Sequence, residues 1–279
     1  MRLDLGQAAH LYLIGGKGLL AMLAAYLDCA GHSRQAGRMM LSGFVAPVEK
    51  WTQFEEWWRS LLLEPTYAIP YVHAKEIYDN WRPDRRGMLY AHANDLLRRT
   101  ALFGISTSIE LADYKSIFRN NRPSTKDSPY GFCFRGLMVW TCSHISANYR
   151  GETISYVLEK GDPGQGGALR AAESTKIGAE MVDVFREAYP IGTVTTATKG
   201  QFGALDTADM YAFSDCKQAS DYQTLVANIP TMDLRLTKHD LALYKKHLLG
   251  EKRLTFKEKV DETKAYAIEL MEKRSKQPS

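Results

Sequence analysis

The chain has 279 residues, 45% hydrophobic and 24% charged, with 36 lysines and arginines against 32 aspartates and glutamates and a formal net charge of +4. These proportions argue against a collagen-like, coiled-coil-rod or wholly disordered chain, and the length suits one large or two small domains with a sizeable core. The mild basicity permits a nucleic-acid partner without requiring one.

The four cysteines, Cys29, Cys133, Cys142 and Cys216, form no Cys-x-x-Cys pair. That argues against a zinc ribbon or a disulfide scaffold and predicts a reducing, cytoplasmic compartment. Near the N-terminus, the longest uninterrupted apolar run, Gly18 to Leu27, has ten residues, where a spanning helix needs ~20. Asp4 lies close to Arg2, and the run passes straight into Asp28, so a signal peptide is not expected. Residues 1–21 are read as an N-terminal extension, Met22 is a second candidate start, and no membrane partner is expected.

Leu23 to Asp28 reads as a short buried strand ending in an acid, and Met39 to Ala46 as a second strand stopped by Pro47, so the two resemble a hairpin. Glu49 to Leu63 puts Trp51, Phe54, Trp58 and Leu61/Leu62 at helical spacing before Pro65. Tyr71 to Asp79 carries His73, Lys75 and Glu76 and leads into the polar loop Asn80 to Gly87. Arg86 to Leu102 is helix-like, and Phe103 to Ile109 alternates as a strand does.

Asn120 to Pro129 reads as a loop, followed by a helix-like segment from Gly136 to Tyr149 and a strand, Thr153 to Leu158, that delivers Glu159. A glycine-rich turn, Gly161 to Gly167, leads into an amphipathic helix from Ala168 to Tyr189. Val194 to Ala197 is a short strand candidate, and Gly203 to Cys216 a helix carrying Asp206 and Asp209. Strands alternating with helices predict one α/β domain over residues 22–220 and a helical C-terminal extension over 221–279.

Several chemistries fail on residue type. The glycine-rich turn is followed by Ala168 and Leu169, without the lysine and hydroxyl of a phosphate-binding loop or the third glycine of a dinucleotide fingerprint. No Gly-x-Ser-x-Gly elbow and no His-Glu-x-x-His pair occurs. Cys29 adjoins Asp28, whose charge disfavours a thiolate.

The carboxylates remain. Asp28 and Glu159 each stand where a strand leaves the sheet, the rim at which open α/β folds collect their sites. Asp206 and Asp209 lie three apart on one helical face. Were these acids to converge they would repel one another unless protonated or bridged by hard cations, for which magnesium or manganese suits an all-oxygen set. Two such ions could activate a water and stabilise a phosphodiester leaving oxygen. Taken singly, each acid reads first as an ordinary cap or surface group, and only the combination points to a site. His73 fits a proton shuttle or a structural histidine, and Arg82, Arg85 and Arg86 beside Trp81 fit a nucleic-acid track or a solvated loop.

The run Tyr26-Leu27-Asp28-Cys29-Ala30-Gly31 followed by Leu41-Ser42-Gly43-Phe44-Val45, the Trp-containing helix, His73-Ala74-Lys75-Glu76, and Ala208-Asp209-Met210-Tyr211-Ala212 together resemble the domain-of-unknown-function 3800 family over residues 22 to about 218. The resemblance implies a ribonuclease H-like fold, a mixed five-stranded sheet flanked by helices, with metal-binding acids on the first strand, a later strand and a late helix. Asp28, Glu159 and Asp209 fit those places. Cys29 and Ala30 stand where the family usually has Glu and Ser, and Asp206 where it has Gln.

The expectation is therefore a divalent-metal-dependent nuclease acting on DNA or RNA. In it Asp28, Glu159 and Asp209 bind Mg2+ or Mn2+, Asp206 or Asp162 assists, His73 positions or protonates, and Lys75 neutralises phosphate. The alternatives are a non-catalytic scaffold of the same fold with a degenerate metal site, and a phosphatase or nucleotide-processing enzyme using the same metals.

Overall fold

In the computed structural model, residues 22–31, 37–118, 128–161, 165–169, 172 and 190–242 are described. The N-terminal extension, most of the 120–129 loop, most of the 168–189 helix, Asp162 and the tail beyond 242 lie outside them. Two compact units result, Met1–Leu236 and Thr237–Ser279.

Within the first unit, strands β1 (Met22–Ala30) and β2 (Arg38–Pro47) form the expected antiparallel pair, with Leu27 opposite Gly43. Helix α1 (Val48–Leu63) follows directly, then α2 (Ala74–Asn80), α3 (Pro83–Thr100) and β3 (Phe103–Glu110), which pairs antiparallel with β2. Helices α4 (Leu111–Phe118) and α5 (Pro129–Asn148) precede β4 (Thr153–Glu159), which returns parallel to β1, and β5 (Ile191–Ala197), parallel to β4. Helices α6 (Gly203–Lys217) and α7 (Ser220–Val226) lead to β6 (Thr231–Leu236). The sheet is mixed, has six strands in the order β5-β4-β1-β2-β3-β6, and is flanked by helices.

The sixth strand corrects two expectations, the five-stranded sheet and the all-helical stretch after residue 220. Thr231–Leu236 alternates, burying Leu234 and Leu236 while Asp233 and Arg235 stay exposed, and it pairs parallel to β3. That period of two is a strand signal, shortened to six residues and hidden between polar neighbours. The second unit opens on a reciprocal cap: the Thr237 N–H donates to Asp240 Oδ2 at 2.8 Å and the Asp240 N–H to Thr237 Oγ1 at 3.3 Å.

Side-chain alternation divides the sheet into two faces. One face carries Ala24, Tyr26, Phe44, Ala46 and Val157 and is covered by α1 and α6, the latter lying across β1 and β2. The other carries Tyr156, whose ring meets Phe134 of α5. Helix α1 buries the aromatic stripe that its spacing predicts: Trp51 meets Phe54 edge to face, and Phe54 stacks on Trp58. The Trp51 indole N–H donates to the Ala24 carbonyl of β1 at 2.9 Å.

Among the described residues no helix is long and apolar enough to cross a membrane, and all four cysteines are free thiols.

Trp51→Phe keeps the ring against Tyr26 and Phe54 but leaves the Ala24 carbonyl without its indole donor. Chemical denaturation should show a loss of ~1–3 kcal/mol, and Trp51→Ala a loss of ~3–5 kcal/mol. Equal stability of Trp51→Phe and the parent would mean that this hydrogen bond contributes nothing.

Candidate functional site

Leu27 and Leu158 are parallel partners on β1 and β4, so Asp28 and Glu159 are the next residues outward on adjacent strands. They share the parity of Tyr26 and Val157 and hence the face that α6 covers. Asp28 is 2% exposed and holds the Cys29 amide through Oδ1 at 2.6 Å. Glu159 pairs with Ala197, the last residue of β5.

Just past β5 the chain turns through Thr198–Gln201, closed by the Gln201 N–H donating to the Thr198 carbonyl at 3.0 Å. Gly200, third in the turn, has φ +73°, the left-handed conformation for which such a turn needs glycine. A side chain there would also strike the Tyr71 ring, with Cβ only 2.9 Å from Cδ1. This braced turn presents Lys199, whose Nζ lies 3.0 Å from Asp209 Oδ2 and 3.3 Å from Glu159 Oε1.

Helix α6 brings in Asp209. Its N-terminus is fixed by Glu55 of α1, whose carboxylate accepts from the Gly203 N–H at 2.9 Å and the Ala204 N–H at 3.0 Å, the end of a helix that favours negative charge. Gly203 packs so closely on Trp58 that an added Cβ would lie 2.1 Å from the indole. One turn on, Asp206 Oδ2 accepts from the Trp58 indole N–H and from the Val72 N–H, both at 3.0 Å. Asp209 Oδ2 accepts from the Ala74 N–H at 2.9 Å. The extended segment 72–74 thus hands alternate amides to two acids one helical turn apart, and His73 between them is held with Nδ1 3.1 Å from Asp209 Oδ2 and 3.3 Å from Lys199 Nζ.

The structure therefore brings Asp28, Glu159, Asp209 and His73 to one place. It separates Asp206, whose buried carboxylate faces Trp58 and Val72 instead of the Lys199 cluster. It also leaves Lys75 outside, exposed on α2 with its Nζ 3.9 Å from Asp79. Lys199 is the participant that motif reading missed. Lys199 had one local signal, a lysine before glycine directly after a strand, but nothing in the sequence ties that turn to residues 28 or 209.

Burial pushes the Asp209 carboxyl up, but the His73 hydrogen bond, the Lys199 ammonium and the Ala74 amide more than offset it and hold the group below the usual aspartate range. Burial likewise pulls Lys199 down, and the charges of Asp209, Asp28 and Glu159 outweigh it, keeping the amine above an ordinary lysine. His73 is raised chiefly by its hydrogen bond to Asp209. Asp206 goes the other way: burial, with the Glu55 and Asp209 charges adding, pushes it up to about 7 against the Trp58 and Val72 hydrogen bonds. Its Oδ1 is buried with no hydrogen-bond partner among the described residues. Asp206 thus keeps its proton to a much higher pH than Asp209, which is held in its charged form.

Among the described residues no three His, Cys, Asp or Glu side chains are drawn closely enough together to hold a metal ion. The groups gathered here are nonetheless all carboxylates: Glu159 and Asp209 pair with the Lys199 ammonium, and the charge of Asp28 acts on it as well. Lys199 holds two of them at 3.0 and 3.3 Å, where oxygen–metal bonds to magnesium measure ~2.1 Å, a contraction of about 1 Å. No family model matches the chain, and no curated protein matches it.

Because Asp206 binds a proton in the folded state that it releases in the unfolded one, folding stability should fall as pH rises from about 4 to 7 and level off above. Asp206→Asn removes that group. Thermal denaturation at pH 5 and pH 8 should show a smaller difference for Asp206→Asn than for the parent, by an amount on the order of a few kcal/mol. An unchanged pH difference would show that Asp206 titrates normally.

Proposed function

We propose that the chain is a divalent-metal-dependent nuclease of ribonuclease H-like fold, related to the domain-of-unknown-function 3800 family, that hydrolyses phosphodiester bonds in DNA or RNA. The observation that carries this reading is the convergence of Asp28, Glu159 and Asp209, from two neighbouring strands and a helix packed over them, around a single cation. A mixed sheet with acids on its first strand, on a later strand and on a late helix is the arrangement that the family resemblance implies.

Three carboxylates against one ammonium leave the pocket with an excess negative charge of two, or one if His73 is protonated. Asp28, Glu159 and Asp209 would hold the ion. Magnesium or manganese, when bound, supplies Lewis acidity to a phosphoryl oxygen and lowers the pKa of a water. Asp209 keeps its charge because its burial is answered by three donors, and so remains a ligand over the ordinary pH range. His73, a third exposed, donates through Nδ1 to Asp209, which leaves Nε2 as the atom through which it exchanges a proton.

One observation favours the second reading, a non-catalytic scaffold: the Lys199 ammonium already satisfies Glu159 and Asp209, and Cys29 and Ala30 add no further acid or hydroxyl beside Asp28.

The parent should cleave single- or double-stranded DNA or RNA with Mg2+ or Mn2+ and not with EDTA. Asp28→Asn and Asp209→Asn, each nearly isosteric and checked for folding by circular dichroism, should lose at least ~100-fold of that activity. Cleavage retained by both variants, or absent from the parent with either metal, would overturn the nuclease reading, and the second result would favour the scaffold.

A further inference from the structure

Lys199 is placed with more care than an incidental surface lysine. The Thr198–Gln201 turn is closed on itself by the main chain, and the Gln201 side chain accepts from the Thr198 amide at 3.1 Å. Gly200 takes the conformation that only glycine adopts easily, against the Tyr71 ring. The backbone at 199 is thereby held while a flexible four-carbon stem carries the charge. That charge enters a pocket where Asp28 and Asp209 are nearly buried and Glu159 and Lys199 are mostly so, their side chains 15% and 24% exposed. The ammonium contacts the same Asp209 oxygen, Oδ2, that accepts from Ala74 and His73. That oxygen already has three donors, and a divalent ion bonded to it would stand within a few ångströms of the ammonium, in a mostly buried site where little water screens the repulsion.

We infer that Lys199 is the resident cation of this pocket, closing it between Glu159 and Asp209, and that a divalent ion enters only by displacing the ammonium. The inference rests on the metal-dependent reading above and adds the occupant with which the metal must compete. Without the ammonium, three carboxylates would face one another with only His73 to offset them, so Lys199 stabilises the metal-free fold. For the same reason it weakens apparent metal affinity, since every binding event must first break two ion pairs. Removing the charge therefore has opposite effects on the two states, which a merely structural lysine would not produce.

The test is calorimetric titration of Mn2+ alone into the full chain, with Lys199→Met, Lys199→Gln and Asp209→Asn beside the parent, and thermal denaturation of each in EDTA and in Mn2+. Lys199→Met should bind Mn2+ at least ten-fold more tightly than the parent, denature at a lower temperature in EDTA, and gain more from Mn2+ than the parent does. Lys199→Gln should move the same way, and serves if the methionine variant does not fold without metal. Asp209→Asn should bind more weakly. If the parent binds Mn2+ in an Asp209-dependent manner but both Lys199 variants bind no more tightly, the displacement is wrong and the metal site stands. If no protein in the set binds Mn2+, the metal reading fails and the displacement fails with it.

Discussion

Burying a carboxylate is costly unless donors replace the water it loses, and helix α6 is held against its neighbours by three such replacements. Glu55 of α1 takes the first amides of α6, Asp206 takes the Trp58 indole and the Val72 amide, and Asp209 takes the Ala74 amide, His73 and Lys199. Together the three acids tie the helix to α1, to the 72–74 segment and to the turn that carries Lys199. A shift of α6 by even part of a turn would leave several buried polar groups without partners, so the geometry of the pocket follows from this constraint more than from the apolar packing around it.

Two aspartates one helical turn apart consequently behave as different chemical species. Asp206 lies deeper, against an indole and next to Glu55, where the environment favours the proton. Asp209 meets an ammonium and an imidazole, and they favour the charge. Desolvation acts on both, and the neighbouring charges decide between them. Such a pair, pushed apart in pKa by surroundings alone, is a common way for one site to divide structural and chemical roles among like residues.

The β1–β2 hairpin, the aromatic stripe of α1 and the acids at the ends of β1 and β4 were legible because each rests on a local pattern: an apolar run, a period of 3.6, or a charge where a strand ends. Residues 231–236 escaped because a six-residue alternation within a polar stretch competes poorly with its helical neighbours. Lys75 and Asp206 were assigned to the site by proximity in sequence to His73 and Asp209. Lys75 instead faces Asp79 from the exposed side of α2, and Asp206, one helical turn before Asp209, faces Trp58 and Val72.

Residue type and order were sufficient to determine that this chain builds an α/β sheet and that acids stand at its strand ends, because both depend on interactions spanning a few residues. Which acids meet, which of them keeps its proton, and that a lysine from a turn 171 residues after Asp28 sits among them was decided only by tertiary structure. Those outcomes depend on burial and on charges brought together across the sheet, and neither quantity exists until the strands pair and α6 closes over them.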